Sequence, residues 1–362
     1  MTEDTETPVL ERGKDIELGK LVGICDEREG QFHDDIVSLK SLSMDEEEPG
    51  RLIVKRGSGT PTQSILMQDH IYRQAPNVLY GMPGGYLQKL ATGDHADPAL
   101  AAANFNHWVQ ANSDRECLLR FRGKGEDMQL RALLSGSWSP VPYGQVMELL
   151  KAKHGADQKV HIERFDDQGL VFNLVTKKLD RKQAKEGDVV EWGMRFKDSD
   201  VGLSSHLEML PYSMTLWCTN GCTSMGKGAS VRMSHSGKDA ADTDAVMSRI
   251  SQGMGMIHAY SEQVVEQMDA AEAIKLEEGD VLDDLFKRTN KRFDITKLED
   301  KYARLGWDEE AKNRPEPNVL RFANAYTRAA NAEELKYDSR FRLQAAGGAI
   351  LEMSTIPRHR WN

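Results

Sequence analysis

The sequence predicts an α+β fold: a central antiparallel, strand-rich sheet domain with packed helices, followed by a helical C-terminal region. Three observations predict it. Two hairpin signatures lie mid-chain, Cys117–Gly123 with Gln129–Ser135 and Val160–Phe165 with Leu170–Val175, each bracketing polar turn residues. Between Ala245 and Met268 the apolar residues recur at helical spacing. The excess negative charge is confined to one end: residues 1–50 hold 15 acidic and 5 basic side chains, and the remainder holds 42 of each sign.

Taken in order, residues 1–50 read as an acidic, largely flexible arm, closed by Asp45-Glu46-Glu47-Glu48-Pro49-Gly50. Leu18, Leu21, Val22 and Ile24 form its one apolar patch, a short docking helix or strand. Residues 51–240 read as the α+β core. Within it, 64–113 reads as helical from Ile65, Leu66, Ile71, Tyr72, Val78 and Leu79, broken by Pro76, Pro83 and Gly84-Gly85. Asp97-Pro98 supplies an N-cap and first-turn pair for a helix through Trp108. After the first hairpin, Val141–Leu150 reads as a helix with Pro142 near its start. Strands are expected over Asp188–Phe196, Leu207–Leu216 and Ser230–His235, making roughly seven around that helix. Residues 241–362 read as helical, with helices at Val281–Lys287, Leu298–Leu305 and Val319–Ala332 and a basic-aromatic tail.

Composition excludes several classes. No apolar run approaches the ~20 residues of a membrane span. The N-terminus is acidic where a secretory signal would be basic and then apolar, so a cytoplasmic protein is expected, in the host cytoplasm if phage-encoded. The four cysteines, Cys25, Cys117, Cys218 and Cys222, are too sparse for a disulfide scaffold.

Arg131-Ala132-Leu133-Leu134-Ser135 leads into Pro140–Leu150. Gly187-Asp188-Val189-Val190 precedes Ser199-Asp200-Val201-Gly202. Trp217-Cys218-Thr219-Asn220-Gly221 precedes Arg232-Met233-Ser234-His235. In this order the segments, over about residues 80–260, resemble the phage- and plasmid-borne domain of unknown function 932. Its pattern runs R-A-x-L-S, G-D-x-V, N-S-x-x-G, V-C-T-N-G, R-H. Asp198 and Trp217 depart from it, and Met233-Ser234 separate the final Arg and His. The resemblance implies a mobile-element accessory with no settled activity. A more distant fold-level analogy is to phage single-strand annealing proteins of the Rad fifty-two type.

The candidate nucleic-acid contacts are Arg120, Arg122, Lys124, Arg131, Trp138, Lys227, Arg232 and His235. Arg120 and Arg122 are two apart on a strand and share a face, with Trp138 and Tyr143 near for base stacking. Gly226-Lys227-Gly228 lacks a phosphate-loop frame but offers a lysine and backbone N–H groups to phosphate. Arg321, Arg328, Arg340, Arg342, Arg358 and Arg360 with Trp361 make a second basic surface. Three chemical alternatives exist. His206, Cys218, Cys222 and His235 are zinc-type ligands with atypical spacing. Cys218 with His235 and Asp200 is a thiol-enzyme set, and Asp188, Asp198 and Asp200 a divalent-metal set. Against these, Asn220-Gly221 reads as a turn after a buried strand and the aspartates as turn formers.

The expectation is therefore a non-enzymatic mobile-element protein that binds single-stranded DNA, without a cofactor and as a homo-oligomer, in annealing or recombination. The alternatives are an interaction protein or host-factor inhibitor acting through the acidic arm, which would occupy its own basic groove or mimic nucleic acid toward a host factor, and a Cys/His- or metal-dependent hydrolase.

Overall fold

The computed structural model describes residues 10–55, 62–123, 128–166, 168–180, 189–204, 206–215, 220–223, 230–236, 242–312 and 314–354. From the N-terminus these form β1 (Asp15–Glu17), α1 (Leu18–Gly30), β2 (Phe32–Ser38), β3 (Leu42–Met44), β4 (Arg51–Val54) and β5 (Gln63–Met67). Next come α2 (Ile71–Val78), α3 (Tyr86–Thr92), α4 (Pro98–Ala111), β6 (Glu116–Arg122), β7 (Gln129–Ser135) and α5 (Tyr143–His154). The strands β8 (Lys159–Asp166), β9 (Gly169–Asp180), β10 (Val189–Asp198), β11 (His206–Thr215), β12 (Asn220–Thr223) and β13 (Val231–Ser234) follow. The described chain ends in α6 (Thr243–Ala273), α7 (Asp280–Arg292), α8 (Lys297–Glu310), α9 (Val319–Ala329) and α10 (Tyr337–Ser354).

The fold is α+β, with two sheets in place of one. The first is antiparallel, in the order β1-β8-β9-β10-β11-β12, with β13 also pairing β11. The second runs β2-β6-β7-β5-β4-β3 and contains one parallel pair, β5 with β7. Both expected hairpins form, β6–β7 and β8–β9. Asp97 caps α4 through Leu100 N–H, with Pro98 at the first helical position.

Each sheet has its own apolar core. The first packs on α1, α5, α6, α9 and α10, around Trp192, Phe172 and Phe196 on the sheet and Val146, Ile250 and Tyr326 on the helices. The second packs on α2, α3 and α4, with Leu119, Phe121 and Leu133 against Ile71, Leu87 and Phe105. The other face of β6–β7 buries Leu118, Ala132 and Leu134 with Trp138 and Val201, where the two sheets approach. The C-terminal helices share the first core, so the expected region 241–362 is helical but not separate from the sheet.

The structure corrects several expectations. Residues 10–50 are not a flexible arm: they supply β1 to one sheet and β2 and β3 to the other, and α1 buries Leu18, Leu21, Val22 and Cys25. Enough apolar surface is present there to offset chain ordering, which charge counting overlooks. Residues 63–67 are a strand, because Ile65 and Met67 point inward while Ser64 and Leu66 point outward, a period of two. Asn220-Gly221 starts β12 and is not a turn.

Candidate functional site

Five charged side chains are buried where the sheets meet: Arg28, Arg120, Asp198, Asp200 and His235. Arg28 leaves α1 and donates from Nε and Nη2 to the Asp200 carboxylate at 2.9 and 3.0 Å. Its Nη1 donates to the Asp166 carbonyl at 2.6 Å. Strand pairing sets Arg120 of β6 opposite Asp34 of β2. Arg120 donates to both Asp34 oxygens at 2.8 Å and to the Asp200 carbonyl at 2.7 Å. The segment after β10 is thus gripped by arginines from α1 and from the second sheet.

His235 follows β13 and faces two acceptors, Asp198 Oδ1 at 2.7 Å from Nε2 and the Ser139 carbonyl at 3.1 Å from Nδ1. Two acceptors require both ring nitrogens to carry hydrogen, so the ring is an imidazolium. Trp138 stacks on it with centroids 5.1 Å apart, and the Arg120 guanidinium lies 5.1 Å from the Trp138 ring centre. Each of these three buried cations, Arg28, Arg120 and His235, has a carboxylate partner, as burial of charge requires.

This arrangement moves the predicted contacts inward. Arg120, Arg131, Trp138 and His235 are all buried, so they do not line a phosphate-tracking groove. Their chemistry is cationic and aromatic, as the sequence reads, but it is turned toward partners within the chain. Arg122 is half-buried on β6, and Arg232 is exposed on β13, 3.2 Å from Glu208. Lys124 and Lys227 lie outside the described residues. The second basic surface is corrected likewise. Arg321 and Arg340 are buried, Arg328 pairs with Glu309 and Glu310, and Arg342 pairs with Glu299. Arg358, Arg360 and Trp361 lie outside the described residues.

The chemical alternatives lose their geometry. His206 begins β11 opposite Ser234, whereas Cys222 pairs with Ser213 near the other end. Seven strand residues separate those registers, roughly 20 Å, too far for one metal ion. Asp198 and Asp200 are held by His235 and Arg28, and Asp188 lies outside the described residues. Both nitrogens of His235 are engaged, so it is no base for a thiol; Cys218 also lies outside the described residues. Cys25 and Cys117 are buried free thiols, and burial pushes the Cys117 thiol up to about 12, away from thiolate reactivity.

Beside the ion pairs lies a cleft of about 330 Å³ between α1, β2 and the start of α5. Phe32, Pro140, Val141 and Pro142 give it apolar walls, and Glu29, His33, Asp34, Arg120, Tyr143 and Asp200 give it polar ones. Glu29 accepts the Gly144 N–H at 3.2 Å, at the open end of α5. Burial raises the Glu29 carboxyl above its ordinary value, against the lowering effect of the Gly144 and Tyr143 N–H groups. Tyr143 is 1% exposed, and its hydroxyl has no hydrogen-bond partner among the described residues.

A second feature, on the surface, was read in the sequence only as helix breakers. Tyr80-Gly81-Met82-Pro83-Gly84-Gly85-Tyr86 joins α2 to α3. Tyr80 is 80% exposed and Tyr86 38%. The Tyr80 backbone is fixed from both sides by Asn112, whose Oδ1 accepts its N–H at 3.0 Å and whose Nδ2 donates to its carbonyl at 3.3 Å. Gly81 takes φ +88° close above the Trp108 ring. The Arg115 guanidinium lies 5.9 Å from the Tyr80 ring centre. Aromatic residues flanking a Gly/Pro run are the sequence signal that marks this loop.

Among the described residues no helix is long and apolar enough to cross a membrane. No protein-family model matches the chain, and no match is found among curated proteins or solved structures, so what the molecule does must be read from its own residues.

Proposed function

We propose that the protein binds single-stranded nucleic acid without catalysis, through the Tyr80–Tyr86 loop and not through the β6–β7 hairpin. One observation carries this reading: Tyr80 presents an exposed ring on a backbone clamped by Asn112, with the Arg115 cation beside it. A fixed aromatic face beside a cation suits stacking of an unpaired base next to a phosphate, a sequence-tolerant mode. Little ordering of the loop is required on binding, because the backbone is already held. The resemblance implies a mobile-element accessory without a settled activity, and the separate, distant fold-level analogy to annealing proteins agrees with such a partner; self-assembly on the strand belongs to the same reading.

Fluorescence polarisation with a labelled single strand tests it. Wild-type binding should weaken as salt rises, since phosphate contacts release counterions. Tyr80→Ala should weaken binding by about 1–3 kcal/mol, and Tyr80→Phe should retain it. Absence of wild-type binding, or unchanged binding by Tyr80→Ala, rejects the proposal. Light scattering with and without the strand reads the assembly.

A further inference from the structure

We propose that the cleft between α1, β2 and the start of α5 is a binding site for a small organic cation bearing a planar amidinium or guanidinium group. The sign of the ligand follows from the charges already spent. Arg28 and Arg120 each direct Nε, Nη1 and Nη2 to oxygens of the chain, so neither guanidinium is left open to an anion. Asp200, Asp34 and Asp198 are matched by Arg28, Arg120 and His235. Glu29 lines the cleft and has no ion-pair partner among the described residues. Its contact with the protein is to backbone N–H, which leaves carboxylate lone pairs for a ligand donor.

The shape of the ligand follows from the walls. Phe32 already lies beside two guanidinium groups, 5.9 Å from Arg28 and 5.4 Å from Arg120, so the site's aromatic wall suits planar cations. Pro140, Val141 and Pro142 supply an apolar face for a flat body. A buried hydroxyl without a partner costs free energy, and Tyr143 carries one in the cleft wall. A polar ligand atom reaching it would remove that cost. The volume of about 330 Å³ is at the small end for ligand sites, which sets the size at a one-ring compound. The inference does not depend on nucleic-acid binding.

Benzamidine is the probe and benzoate its size-matched anion, both titrated into the full chain by saturation-transfer NMR. Benzamidine should give saturable transfer and benzoate none. Glu29→Gln keeps an acceptor for the Gly144 N–H but removes the charge, and should weaken benzamidine at least about five-fold. Equal transfer from both probes, no transfer from benzamidine, or a Glu29→Gln variant that binds as wild type overturns the proposal. If that variant does not fold, Phe32→Leu replaces it: weakened benzamidine binding by the folded variant supports the site, and unchanged binding overturns it. The comparison of the two probes on the wild-type chain decides the sign of the ligand whichever variant folds.

Discussion

His235 sits between Asp198 and the Ser139 carbonyl with almost no exposure, and its charge state follows from those neighbours. Burial lowers its pKa, but the Asp198 charge, its hydrogen bond and the Ser139 carbonyl outweigh burial and hold the pKa above the ordinary 6.5. Arg120 opposes the shift, and His206, itself lowered, lies within electrostatic reach. A raised histidine contributes stability that is fully present below its unfolded pKa and is lost as pH rises through the folded one. Urea unfolding between about pH 6 and pH 9 should therefore show wild-type stability falling with pH from near 6.5 upward. His235→Gln should lose the slope and be about 3–5 kcal/mol less stable at the acidic end, because Asp198 remains buried without its counter-charge. A slope retained in His235→Gln would show that a group other than His235 produces it. The residue types at this site were legible in the sequence, since Arg120, Trp138, His235 and Asp200 all stand out there. Their direction was not: Asp34 is 86 positions from Arg120 and Asp198 is 37 from His235, and local sequence does not reveal such partners.

Among elements, those with short-range signals could be read. The β6–β7 and β8–β9 hairpins announce themselves by apolar runs around polar turns, and α4 by its Asp-Pro start. β2 escaped because Phe32-His33-Asp34-Asp35-Ile36-Val37-Ser38 carries two aspartates and looks solvated; only pairing with β6 sets Asp34 against the buried Arg120. β5 is too short to separate period two from a helix face, and its parallel partner β7 pairs with it 63 positions on, Leu66 with Gln129. α10 packs around Ala345, Ala346, Gly347 and Gly348, a run whose small residues admit close helix contact and leave no apolar stripe to see. Within the first sheet Gly193 marks the register shift between β9 and β10. An added Cβ there would overlap the Leu174 carbonyl oxygen, a backbone atom that cannot step aside without breaking the ladder. Gly193→Ala should cost about 3 kcal/mol in urea unfolding, the upper range for overpacking. A loss below about 0.5 kcal/mol, the ordinary surface effect, would mean that the bulge relaxes freely.

For the whole molecule, the main consequence is how the first fifty residues are used. Their charge of ten excess negatives suggests an arm that shields a groove or seeks a partner, and by either view its removal leaves a folded body. The structure implies the opposite outcome. β1 ends one sheet, β2 ends the other, and α1 lies against α5 with Leu18, Leu21 and Cys25 fully buried. Arg28 from the same helix neutralises Asp200, and Asp34 neutralises Arg120. A chain of residues 51–362 would lose apolar burial from both cores. It would also leave Asp200 and Arg120 as unpaired charges at the junction, each such loss costing about 3–5 kcal/mol. Total stability of a domain is about 5–15 kcal/mol, so these losses together exceed what a folded chain tolerates. The truncated chain should accordingly be insoluble or show no cooperative transition by circular dichroism. A truncation that melts cooperatively at the full-length midpoint would return these residues to the status of an arm. Failure to fold would instead establish that the acidic end is where the two sheets are joined, with its carboxylates spent on the arginines that hold them together.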